Sequence, residues 1–160
     1  MRAVLQRLAS LFAIAGCLAA CAVALLTTVS VIGRAALRHP VAGDVELTQF
    51  GIALSIALCL PWAQFKGSNI IVDFFTQKAG ARTVGRLDAF GALMLSLMSG
   101  VLAWRAMVGA VSVKASFETT MILGLPMWIT YAVLAPGLAL AAVIALVQAH
   151  DHWCGRSAWA

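Results

Sequence analysis

Long apolar runs separated by short polar stretches dominate this chain. The first runs uncharged from Leu8 to Ile32 after Arg2 and Arg7, and its 25 residues outreach a bilayer core. That core is ~30 Å thick and a helix rises 1.5 Å per residue. A second run, Leu47 to Phe65, has 19 residues and no formal charge. The third, Ala89 to Trp104, has 16 uncharged residues and continues past Arg105 to Val113. The fourth lasts from Met121 to Val147. Backbone crossing lipid must satisfy its own polar groups, and a helix does so within one segment. The pattern therefore predicts an all-α integral membrane protein: one domain over residues 1–160 with four transmembrane helices.

Arg34, Arg38, His39 and Pro40 close the first run, and Gly43 to Glu46 read as a short polar connection. Asp88 is placed to cap the third helix, and Pro126 to occupy the first turn of the fourth, where its missing N–H does no harm. Cys59 to Asp73 forms a hinge at a bilayer surface. There Trp62 suits the headgroup level and Lys66 can snorkel to phosphates. From Asn69 the period changes. Ile70, Ile71, Phe74 and Phe75 share one face, while Asn69, Asp73 and Gln77 share another, which predicts an interfacial amphipathic helix between the second and third spans. Lys78, Arg82 and Arg86 extend it as a looser basic segment facing an anionic leaflet. Trp104 and Trp128 are further interfacial anchors, and Trp104 beside Arg105 favours snorkelling of that cation. The small residues Gly91, Ala92, Ser96, Ser99 and Gly100 would allow close helix packing.

Composition supports the pattern. The chain is 62% hydrophobic and 11% charged, too little polar side chain to cover a soluble globule. Its net charge of +5 is dispersed between apolar runs rather than gathered on one surface, which excludes nucleic acid as a partner and points to membrane lipids. With the N-terminus inside, seven Lys and Arg (Arg2, Arg7, Lys66, Lys78, Arg82, Arg86, Arg156) face the cytoplasm and four (Arg34, Arg38, Arg105, Lys114) do not. This asymmetry places both termini in the cytoplasm. Ile14 to Cys17 and Leu18 to Cys21 look like lipoprotein cleavage boxes, but the apolar run continues to Ile32 and reads as an uncleaved span.

Little here suggests catalysis. There is no phosphate-cradling glycine loop, no nucleophile elbow and no pair of catalytic carboxylates. Cys17, Cys21 and Cys59 lie in apolar runs without a neighbouring His or carboxylate, and the tail His150-Asp151-His152-Trp153-Cys154 finds no further ligand. A four-helix redox or quinone subunit would need His pairs within its spans, and His39, His150 and His152 lie outside them. Neither an enzyme nor a cofactor is expected.

The order of features resembles a known family, the small Q-type permease subunit of TRAP (tripartite ATP-independent periplasmic) transporters. Arg34 closes the first span and Glu46 precedes the second. Lys66-Gly67 followed by Asn69-Ile70-Ile71-Val72-Asp73 is similar to the family's basic-Gly and His-Ile-x-Val-Asp, with Asn69 where histidine is common. Ser116 to Thr120 followed by Leu125-Pro126-Met127-Trp128 resembles its Pro-x-Trp entry to the fourth span. The resemblance implies a bacterial inner-membrane protein with two partners: a large permease subunit and a periplasmic substrate-binding protein. The large subunit would carry the substrate and sodium sites for uptake of a solute, often a carboxylate. Arg34, Glu46, Asp73 and Arg105 are the candidate subunit-contact or orienting residues. The small membrane subunit of a tripartite tricarboxylate transporter is the nearest alternative.

Overall fold

The computed structural model describes residues 2–37, 42–67 and 81–154. Four helices cover most of them: α1 (Arg2–Leu37), α2 (Asp44–Phe65), α3 (Ala81–Ala115) and α4 (Trp128–Trp153). All four are long and apolar enough to cross a membrane, and an isolated bridge between Thr119 and Pro126 is the one β feature among the described residues. The chain is an all-α, multi-pass membrane protein. The expected interfacial helix over Asn69 to Gln77, with Asp73, Phe74, Phe75 and Lys78, lies outside the described residues.

The helices do not close on one another as a bundle. α1 packs against α2, α2 against α4, and α4 against α3, with only slight contact between α1 and α4. The result is a row in the order α1–α2–α4–α3. Its two edge helices leave long apolar faces open, such as Leu11, Leu18 and Leu25 on α1 or Phe90, Met98 and Val101 on α3. At the end carrying Arg2, three helices converge on an apolar core of Leu5, Ala9 and Ile144, packed by Trp62, Phe65, Leu140 and Val147.

Two seams show how such apolar helices pack. On α3 the inward face reads Ala89, Ala92, Ser96, Ser99, Ala103, Ala106 and Ala110, small side chains at alternating three- and four-residue steps. Close approach to α4 follows, and Ser96 Oγ donates to the Ala142 carbonyl at 2.9 Å. Of the small residues expected to pack closely, Ala92, Ser96 and Ser99 belong to this seam. Gly91 and Gly100 do not, since a Cβ added at either meets nothing within 4 Å. On the α2–α4 seam, Gly137 lies so close to Ala57 that a Cβ there would come within 2.8 Å of the Ala57 carbonyl carbon. Pro61 explains the choice of Ala57. Proline lacks the N–H that would bond the carbonyl four residues back, so that oxygen is free to face Gly137.

Several local expectations change. Asp44 and Glu46 form the first turn of α2 rather than a polar connection. There the unpaired N–H groups and the helix dipole favour carboxylates. Asp88 lies inside α3 instead of capping it, because the helix already begins at Ala81 and takes in Arg82 and Arg86 from the presumed looser segment. The fourth helix opens at Trp128 rather than Met121, and Pro126 stands before it. Residues 118–127 fold back as a small hairpin in which Thr120 N donates to Leu125 O at 2.9 Å and Met127 N to Glu118 O at 3.1 Å. Two hydroxyls within the spans return to their own helix: Thr28 Oγ1 donates to the Ala24 carbonyl at 2.7 Å and Ser55 Oγ to the Gly51 carbonyl at 2.7 Å.

Candidate functional site

Polar side chains tie the row of helices together at both ends. At the α1 C-terminus, Arg34 Nη2 reaches Asp44 Oδ2 at 3.4 Å, and the Ser30 hydroxyl donates to the same oxygen. Asp44 Oδ1 accepts from the Val45 N–H at 2.8 Å. One carboxylate thereby binds the end of α1 to the start of α2. Two residues on, Glu46 makes a longer connection. Its two oxygens accept the N–H groups of Ile122 (2.9 Å) and Leu123 (3.0 Å), clamping the α3–α4 hairpin onto α2. Gly43, with φ of +75°, turns the chain into α2 directly under Leu123, where any side chain would collide.

At the opposite end Arg2 Nη2 bonds Asp151 Oδ2 at 2.8 Å, joining α1 to α4. Between α2 and α4, Gln64 Nε2 donates to Gln148 Oε1 at 2.7 Å, and Gln148 Nε2 returns a bond to the Gln64 carbonyl at 2.8 Å. Both side chains are buried, so each amide meets its polar needs in the other helix. The α1–α2 and α2–α4 seams are thus cross-linked at opposite faces of the bilayer.

Of the residues expected to act, Arg34 and Glu46 bond partners within this chain, Arg34 from an exposed position. Arg105 does not: it is exposed on α3 and bonds no described residue. Trp104 beside it is equally open. Among the anchors, Lys66 Nζ stands 5.6 Å from the Trp62 ring centre, and Lys114 Nζ 5.2 Å from that of Trp128, pairing a cation with an aromatic face at each end. Arg86 is exposed near the start of α3. The tail residues close α4: Asp151 is held by Arg2, with His150 Nδ1 3.9 Å from its other oxygen.

Asp44, Ser30, Gln64, Gln148, Arg2 and Asp151 did not stand out as sites in the pattern. The available signal was the amides Gln64 and Gln148 inside apolar runs, since a buried amide needs a partner. An apolar groove also opens between the ends of α3 and α4, lined by Ala89, Phe90 and Leu93 on one side and Leu146 and Trp153 on the other. Apolar side chains make up most of its wall.

A row of spanning helices, tied internally and open along both edges, defines a polytopic membrane component built to lie beside other chains. The family description that matches residues 23–155 is "Tripartite ATP-independent periplasmic transporters, DctQ component". The match takes in the last part of α1, from residue 23, and all of α2, α3 and α4. The chain belongs to this family: it is the small membrane subunit of a TRAP transporter, a class of transport component that works with a large permease and a periplasmic binding protein. No curated protein and no solved structure matches the chain.

Proposed function

We propose that this chain is the static partner of the large permease subunit in sodium-coupled uptake of a carboxylate solute delivered by a periplasmic binding protein. The observation that carries the reading is the pair of cross-linked ends. Ser30, Arg34, Asp44 and Glu46 hold one end, while Arg2, Asp151, Gln64 and Gln148 hold the other. A subunit that moves substrate needs two arrangements of its packed elements. This one has its central seams pinned on both sides, which suits a frame against which a larger subunit moves. Arg34 and Glu46 act as orienting residues within the chain, and Asp73 is assigned to subunit contact. Both termini lie in the cytoplasm of a bacterium, where Lys66 and Arg86 meet the anionic leaflet of the inner membrane.

Reconstitution tests this directly. Liposomes holding a sodium gradient receive the small subunit, the large subunit, or both, with the binding protein and a labelled carboxylate outside. Accumulation is expected only when both subunits are present. Gradient-driven accumulation by this chain alone would overturn the assignment.

A further inference from the structure

The two edges of the helix row differ in one respect. The exposed face of α1 carries no charge between Arg7 and Arg34, so lipid tails cover it without loss. The exposed face of α3 includes Arg105. It lies nine positions before Lys114, about 13 Å at 1.5 Å per residue, and Lys114 marks the headgroup level through its contact with Trp128. The guanidinium presents five N–H donors that bond no described residue. Lipid tails hold no acceptor at that depth, and cations within spans characteristically face protein partners.

The neighbours of Arg105 form a second seam. Gly91, Met94, Met98, Val101, Arg105 and Val108 recur at alternating three- and four-residue steps, the spacing at which one helix presents knobs to another. All six are exposed. This stripe has the same period as the Ala and Ser seam that packs on α4, but no described element covers it. Methionine at two of its positions supplies adaptable apolar contact.

We propose that this face of α3 docks a transmembrane helix of the large permease subunit, and that Arg105 pairs there with a carboxylate on that helix. The inference rests on the two-subunit reading above and names the surface at which the two chains meet. Charge complementarity selects α3 over α1, because a helix partner supplies the anion that hydrocarbon cannot. The heptad stripe supplies the apolar contact on either side of the pair.

The test uses the full small subunit co-expressed with the large one and purified in detergent through a tag on the small subunit. Wild type and Arg105→Lys retain the large subunit, while Arg105→Glu retains at least about tenfold less, since it faces like charge in a desolvated contact. Arg105→Glu leaves the melting temperature of the isolated small subunit unchanged, because the side chain touches no described residue. A photo-crosslinker at Met98, in an otherwise wild-type chain, reaches the large subunit, and one at Leu18 on α1 reaches lipid. Equal retention by Arg105→Glu, or crosslinks from Met98 to phospholipid alone, would overturn the docking face and assign Arg105 to headgroups. A wild-type chain that retains no large subunit would overturn the two-subunit reading, and this face with it.

Discussion

Gly137→Ala and Gly91→Ala are the same chemical change on two transmembrane helices, and the structure assigns them opposite signs. In an exposed helix, replacing Gly by Ala gains about 1 kcal/mol of propensity. At Gly91 nothing lies within 4 Å of the new Cβ, so that gain stands alone. At Gly137 the Cβ arrives 2.8 Å from the Ala57 carbonyl carbon and closer still to its oxygen. Carbon atoms rest comfortably at about 3.5–4.0 Å, so α2 and α4 must separate by roughly 1 Å. Overpacking of this kind costs about 1–3 kcal/mol. The balance is a loss of up to about 2 kcal/mol for Gly137→Ala and a gain of up to about 1 kcal/mol for Gly91→Ala. Thermal unfolding of the purified chain in detergent reads both. At about 2–4 °C per kcal/mol, Gly137→Ala melts several degrees low and Gly91→Ala at or slightly above wild type. If Gly137→Ala melts as high as Gly91→Ala, the α2–α4 seam is not packed as described.

Gln148→Leu removes the amide pair between α2 and α4. A double-mutant cycle with Gln64→Leu in the same detergent assay should give a coupling energy of about 0.6–2 kcal/mol, the range for hydrogen bonds between spanning helices, and additive effects would refute the pairing. Glu46→Ala frees the amides of Ile122 and Leu123, so hydrogen exchange at those two positions should accelerate while the middle of α4 stays protected. Unchanged exchange at both would count against the clamp. Cysteine placed at Arg82 should react with an impermeant label only after permeabilisation if, as proposed from the cation asymmetry, that end of α3 faces the cytoplasm. Labelling from outside intact cells would reverse the topology.

Much of this architecture is legible in one dimension. A bilayer demands runs of about twenty apolar residues, and the four runs here mark four crossings before any contact is known. The run after Asp88 reads on past Arg105 because apolar residues resume there, and α3 is continuous to Ala115. Family membership was likewise readable from the order of Arg34, Glu46, the Lys66-to-Asp73 stretch and the Pro126-to-Trp128 entry. Helix ends were harder. Apolar Met121, Ile122 and Leu123 look like the start of a span, yet Glu46 and the Thr119–Pro126 bridge draw them into a hairpin. Glu46 lies far away in sequence, and no local preference reports such a bond.

The row order α1–α2–α4–α3 and the choice of packing faces belong to the tertiary structure alone. In a soluble helix the buried face is the apolar one, so periodicity reveals it. In lipid both faces are apolar, and hydrophobicity does not separate the side that meets another helix from the side that meets acyl chains. Side-chain size and rare polar groups make that separation instead. Gly91 and Gly137 are the same residue in sequence. One faces open space, while the other sits where a neighbouring proline has left a carbonyl free, and only the packed chain brings Pro61, Ala57 and Gly137 together.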